Sequence, residues 1–367
     1  PARSARDTLS SCGLPFPSLE RRASPDLEGK LVSHSSTPWT LRVYGALPFA
    51  PVLSGAAFAL ILIAVLLGSE IALGRLMASP PDLRLAIVHC LLVAYLPTAY
   101  AYVILWSRRT VSDLRPALDC SEGEIAELRA RAGSYRWWVL AMVGILAVAL
   151  TAAMTRATTP AEVNPWSWGE MIPEVRWHRV LGFVAGWWAG CFFYAVFAES
   201  RRVYSLTRRL RSTDLLDLRP LMPFTRQALG NALLIIGSIS VYSFFLVETR
   251  FLTMVIGLWI GAVIVATLTF MLPILGVHRV IREAKQAELE WCGDALMRAR
   301  TALKEGPGEP QRLPMHEIVA YKQVVDGVRE WPFDASTVMR FALYLLIPLA
   351  SWSGGAVVER VIDSLLE

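Results

Sequence analysis

The apolar residues of this chain fall in long blocks rather than at the short periodic spacing of water-facing elements. A helix crossing a hydrocarbon layer of about 30 Å needs roughly 20 residues. Seven blocks supply that length: 49–67, 85–106, 137–154, 180–198, 228–247, 251–275 and 341–358. Within hydrocarbon the backbone must satisfy its own hydrogen bonds, which selects helices. Segments of about ten alternating apolar and polar residues, the signature of a membrane barrel, do not occur. The pattern predicts an all-α, polytopic membrane helical bundle of about seven transmembrane helices.

Polar segments divide the chain further. Residues 1–44, rich in Ser, Pro and Arg, read as a disordered cytoplasmic tail, and a start at Pro1 rather than Met reads as truncation or processing. Residues 45–275 form a six-helix membrane region in three hairpins. Residues 276–333 read as a cytoplasmic helical hairpin, and 334–367 as the seventh span with a short outer tail. In the third segment no proline interrupts 276–306, and Ile281, Ala284, Trp291, Ala295, Ala299 and Ala302 mark one helical stripe. Gly306-Pro307-Gly308 breaks it, and a second helix follows over 315–331. Ser107-Arg108-Arg109 with Asp113-Leu114-Arg115-Pro116 is echoed by Ser200-Arg201-Arg202 with Asp217-Leu218-Arg219-Pro220, which points to an internal duplication.

Charge gives the orientation. Lys and Arg number 6, 6, 7 and 9 in the tail and in loops 107–136, 199–227 and 276–333, against 2, 3, 1 and 1 in the alternate segments. The positive-inside rule therefore puts the N-terminus in the cytoplasm and the C-terminus outside, in a bacterial-type inner membrane or a plasma membrane. The net charge of +5 is then a membrane-facing charge, met by anionic lipid headgroups rather than nucleic acid. Five dispersed cysteines form neither a disulfide framework nor a metal motif, and no metal or cofactor is expected.

Small residues predict close helix packing. Gly182, Gly186 and Gly190 recur every four residues, as do Gly257 and Gly261, and Gly354 follows Ala350 at the same interval. Trp187 and Trp188 lie mid-span, as pocket-wall or filler residues. Tyr344, Pro348, Ser351 and Ser353 make the last span polar and breakable, suited to lining a path or a ligand site. Apart from Arg340 the spans hold no Asp, Glu, Lys or Arg; Glu70, Glu199, His89 and His178 read as span-end residues. This disfavours proton-coupled transport. Motifs for zinc hydrolases, serine hydrolases and nucleotide binding are absent, so an enzyme is not expected. Two classes remain: an oligomeric channel or uncoupled permease lined by the seventh helix, or a receptor or scaffold acting through the cytoplasmic hairpin. In topology alone the layout resembles insect odorant and gustatory receptor channels, with no shared motif and no residue carried over.

Overall fold

Six of the seven apolar blocks form long helices in the computed structural model, which describes residues 51–72, 80–159, 173–211, 214–247, 252–305, 315–332, 339–344 and 346. In chain order the helices are α1 (Pro51–Ala72), α2 (Pro80–Asp113), α3 (Glu122–Arg131), α4 (Trp137–Thr158), α5 (Pro173–Leu206), α6 (Met222–Tyr242), α7 (Leu252–Glu305) and α8 (Met315–Gly327). All but α3 and α8 are long and apolar enough to cross a membrane. Among the described residues there is no strand, only an isolated antiparallel bridge between Leu118 and Leu210. Of the seventh block only 341–344 and 346 are described, all helical. The rest of that span and the tail 1–44 lie outside the described residues.

Helix α2 is central. It packs most extensively on α5 and also meets α1 and α6, while α6 packs along α7. Of the apolar window of α2, 72% is buried, against 17% for α1 and 6% for α4. Leu92, Leu96 and Ile104 of α2 share one buried core with Phe192 and Val196 of α5 and Ile235 of α6. Helices α1 and α4 lie outside this core and turn Leu60, Ile61, Ile145 and Leu146 outward. In water so continuous an apolar face would be an aggregation hazard; in hydrocarbon it meets a solvent of its own kind.

The hairpins α1–α2 and α4–α5 share one plan, an outer helix of 22 residues followed by an inner one of 34. After each inner helix the repeated Leu-Arg-Pro text makes the same 3₁₀ turn, Arg115–Ala117 and Arg219–Leu221, with proline in the first turn where its missing N–H costs nothing. The loops after α2 and α5 are stitched together: the Asp119 N–H donates to the Arg209 carbonyl (2.8 Å) and the Arg211 N–H to that of Ala117 (3.0 Å). Between α2 and α4 lies α3, a helix that block-reading of the apolar residues passes over. Its start is a capping box in which the Ser121 hydroxyl accepts from the Glu124 N–H and the Glu124 carboxylate accepts from the Ser121 N–H.

Pro97 and Pro273 lie inside α2 and α7, both of which run on past them. At 54 residues, α7 is about 80 Å long at 1.5 Å per residue. Its apolar half packs in the bundle and its polar half runs on beside α8. The contacts pair high numbers with low: His278 stacks on Trp331 at 4.1 Å, Lys285 donates to the carbonyls of Asp326 and Val328 (both 2.9 Å), and Tyr321 donates to Glu288 (3.2 Å). The two helices are therefore antiparallel. Helix α8 ends at Gly327, earlier than the 331 expected from the apolar spacing, because Lys285 collects its last carbonyls and 328–332 folds back over His278.

Candidate functional site

Polar groups gather inside the bundle at two levels. The first is at the arginine-rich end, where the inner helices reach their loops. Glu199, near the end of α5, is completely buried. Its Oε2 accepts from the Ser107 hydroxyl (2.7 Å) and its Oε1 from the Tyr135 hydroxyl (2.7 Å) and the Gly133 N–H (3.0 Å). Arg202 Nη1 donates to both oxygens, at 2.8 and 3.0 Å. The carboxylate thus ties together α2, the loop after α3 and its own helix. Gly133 has φ +83°, and a Cβ there would lie 2.6 Å from Ile104. Only glycine turns its N–H toward Glu199 in that space. Arg108 closes the same loop by donating to the Ala132 carbonyl (3.3 and 3.2 Å). Burial raises the Tyr135 phenol well above its usual range, and the Glu199 charge beside it adds to the effect.

One turn along, a second buried chain links three helices. Thr110 donates to Gln227 (2.7 Å), Gln227 to Asn231 (3.1 Å) and Asn231 to Ser200 (2.9 Å). These groups satisfy one another, as buried polar side chains must. The two copies of the repeated Ser-Arg-Arg text supply Ser107, Arg108, Ser200 and Arg202. Toward the middle of the bundle the layer is backed by ring contacts of Tyr135 with Tyr194 (5.5 Å) and of Tyr100 with Tyr135 and Trp188 (6.2 and 5.9 Å).

The other level lies in the opposite half. A cavity of about 400 Å³ opens among α2, α4, α5, α6 and α7. Its walls are mainly apolar, with Leu92, Met154, Phe193 and Leu258. Its polar lining comprises His89, His178, Arg179, Tyr242 and the hydroxyl-bearing Thr151, Thr155, Thr158 and Thr159. The His89 and His178 rings lie 5.3 Å apart, and His89 also meets Phe245 edge-on at 5.0 Å. Gly182, Gly186 and Gly190 all line this space; their missing side chains leave it open on the α5 side.

The glycines of α5 therefore do two things. A Cβ on Gly182 would meet His89 at 3.1 Å, and one on Gly190 would meet Ala147 and the Val143 carbonyl at 2.8 Å; Gly186 faces Thr151. Trp187 lies over Gly144 of α4, where a Cβ would be 2.6 Å from its ring. Trp188 belongs to the aromatic layer rather than to the cavity. Gly257 and Gly261 are brought to no partner: nothing among the described residues lies within 4 Å of a Cβ at either. Tyr344 packs partly buried near Phe341, which stacks on Phe270 at 4.4 Å. Pro348, Ser351, Ser353 and Gly354 lie outside the described residues. Among the described residues no three His, Cys, Asp or Glu side chains group as metal ligands.

The six long apolar helices are consistent with an α-helical integral membrane protein. Family models, curated proteins and solved structures yield no match to the chain.

Proposed function

We propose that this is a receptor-type membrane protein whose cavity binds a small, largely apolar ligand with an anionic or hydrogen-bonding head. The arginine-rich end lies in the cytoplasm on this reading, following the charge bias of the loops. The observation that carries it is the 400 Å³ cavity with its mainly apolar wall and few polar side chains, a volume and lining suited to small-molecule binding. His178, Arg179 and the threonines would hold the head, and the leucine, methionine and phenylalanine walls the body. Helix α7 touches the cavity through Met254 and Leu258 and meets α8 through Lys285 and Glu288, so one continuous element links the ligand to the cytoplasmic surface. The role is binding and relay, without a catalytic step.

A fluorescent long-chain carboxylate tests this on protein in nanodiscs. Binding is expected, with loss on filling the cavity by Ala189→Phe and weakening of roughly tenfold in Arg179→Gln. Hydrogen exchange in 315–327 should change on binding. Equal binding by parent and Ala189→Phe sinks the ligand site; binding without any change in α8 sinks the relay.

An oligomeric conduit is the second reading, favoured by Gly257 and Gly261. They share an outward face with Ile256, Ile260 and Ile264, and such small-residue faces serve helix association in membranes. Cross-linking of cysteines placed at 257 and 261 in native membranes would support it, and a strictly monomeric protein would remove it.

A further inference from the structure

Helix α5 and helix α7 cross closely at Gly276, where a Cβ would lie 2.8 Å from Thr207 and 2.9 Å from Tyr204. Just beyond the crossing the helices part around a groove of about 480 Å³, lined by Tyr204, Thr207, Arg208, Arg279 and Glu283 among others. We propose that this groove binds a phosphodiester monoanion, presented in the membrane by an acidic phospholipid headgroup.

Depth, charge and donor geometry carry the assignment. The apolar block of α7 ends at Leu275, so Arg279 lies about 6 Å beyond it at 1.5 Å per residue. The headgroup layer of a bilayer is about 5–8 Å deep on each side, and Arg279 falls within it. Arg279 Nε donates to Glu283 on the same helix (2.8 Å), and among the described residues its two terminal nitrogens make no hydrogen bond. Arg208 makes no ion pair or hydrogen bond among the described residues. Thr207 turns its hydroxyl back to the Tyr204 carbonyl (2.7 Å), leaving the Tyr204 phenol as the uncharged donor. Two arginines less one glutamate give the lining a net charge of +1, which matches a singly charged diester rather than a doubly charged monoester. Guanidinium groups take phosphate oxygens in pairs, and the volume exceeds what a lone carboxylate fills.

The site is independent of the cavity in the opposite half, and its test is separate. Protein in phosphatidylcholine nanodiscs would receive increasing phosphatidylglycerol, with retained lipid read by native mass spectrometry and unfolding by heat. The parent should retain phosphatidylglycerol selectively and gain thermal stability with it. Arg208→Gln/Arg279→Gln should weaken retention by roughly tenfold to thirtyfold, since basic groups near a charged membrane surface each contribute severalfold. Arg298→Gln/Arg300→Gln removes equal charge from the exposed distal part of α7 and should behave as the parent. Diethyl phosphate, added without acidic lipid, separates the sources: protection lost in the groove variant supports the same phosphodiester chemistry from a soluble donor. Equal retention by the two double variants, or no preference for phosphatidylglycerol over phosphatidylcholine, overturns the proposal.

Discussion

Glu199→Gln isolates the charge of the buried carboxylate while keeping its shape. Five hydrogen-bond contacts converge on the two oxygens, from four donor groups. The glutamine amide oxygen would best take the Oε1 position, keeping Tyr135 and Gly133 but losing the charge assistance of both bonds. Its NH₂ would then face Ser107, which can rotate to accept, and Arg202, which cannot. Bonds to a charged partner contribute about 1.5–3 kcal/mol and neutral ones about 0.5–1.5, so each weakened bond costs about 1 kcal/mol. The Arg202 side chain is 21% exposed and can turn to water, which limits its share. The sum is about 3 kcal/mol, below the roughly 3–5 kcal/mol range's upper end for breaking a buried pair outright. At roughly 2–4 °C per kcal/mol for a domain of this size, the unfolding midpoint in detergent should fall by about 6–12 °C. Glu199→Ala, which strands all four donor groups, should fall further. A Gln variant within about 2 °C of the parent would refute the reasoning, because it would mean that charge assistance contributes little to these bonds.

Gly133→Ala meets two penalties at once. The left-handed φ of +83° costs a side chain about 1–2 kcal/mol, and the new Cβ strikes Ile104 Cγ2; a midpoint loss comparable to that of Glu199→Gln is expected by thermal melting, and Ile104→Val, which keeps Cγ2, should not restore it. Tyr135 gives a pH signature. Its folded pKa is raised, so its contribution is complete below the ordinary phenol value of about 10 and is lost as pH climbs from there through the folded value. Melting curves should therefore show an alkaline loss above about pH 10 that is smaller in Tyr135→Phe; identical profiles would refute it. Lys285→Ala removes the donor that collects the last carbonyls of α8, and hydrogen exchange across 315–327 should quicken by about tenfold, equivalent to about 1.4 kcal/mol, with no change in α6.

The membrane helices were legible because hydrocarbon imposes a length and a composition that appear directly as apolar blocks. The long run of α7 was legible as well, from the want of proline between 276 and 306 and the Ile281-to-Ala302 stripe. The place of Glu199 at a span end was legible too, but its burial was not, because the partners that close over it, Tyr135 and Gly133, lie more than sixty residues away. The signal that was present lay in the duplicated Ser-Arg-Arg text, whose two copies contribute to one polar layer. Helix α3 carried its own local mark, Ser121 three residues before Glu124, hidden in a segment weighed only for its positive charge. The cavity left no one-dimensional trace: His89 and His178 are separated by most of two hairpins. Gly182, Gly186 and Gly190 were visible as a packing face, and the space they leave open becomes apparent only once α2 and α4 stand beside them.

The stitch between the loops after α2 and α5, together with Glu199, sets an order on biogenesis. As the chain emerges, Ser107, Gly133 and Tyr135 enter the membrane region before the carboxylate that needs them. The first half is thus a waiting template of donors, and the second half brings the charge to it. Were the order reversed, the carboxylate would wait with only Arg202 of its own helix as partner. A circular permutant that synthesises α4–α5 ahead of α1–α2 would build the same final contacts, yet spend its assembly with the Glu199 carboxylate short of the Ser107 donor, and membrane quality-control proteases would see the difference.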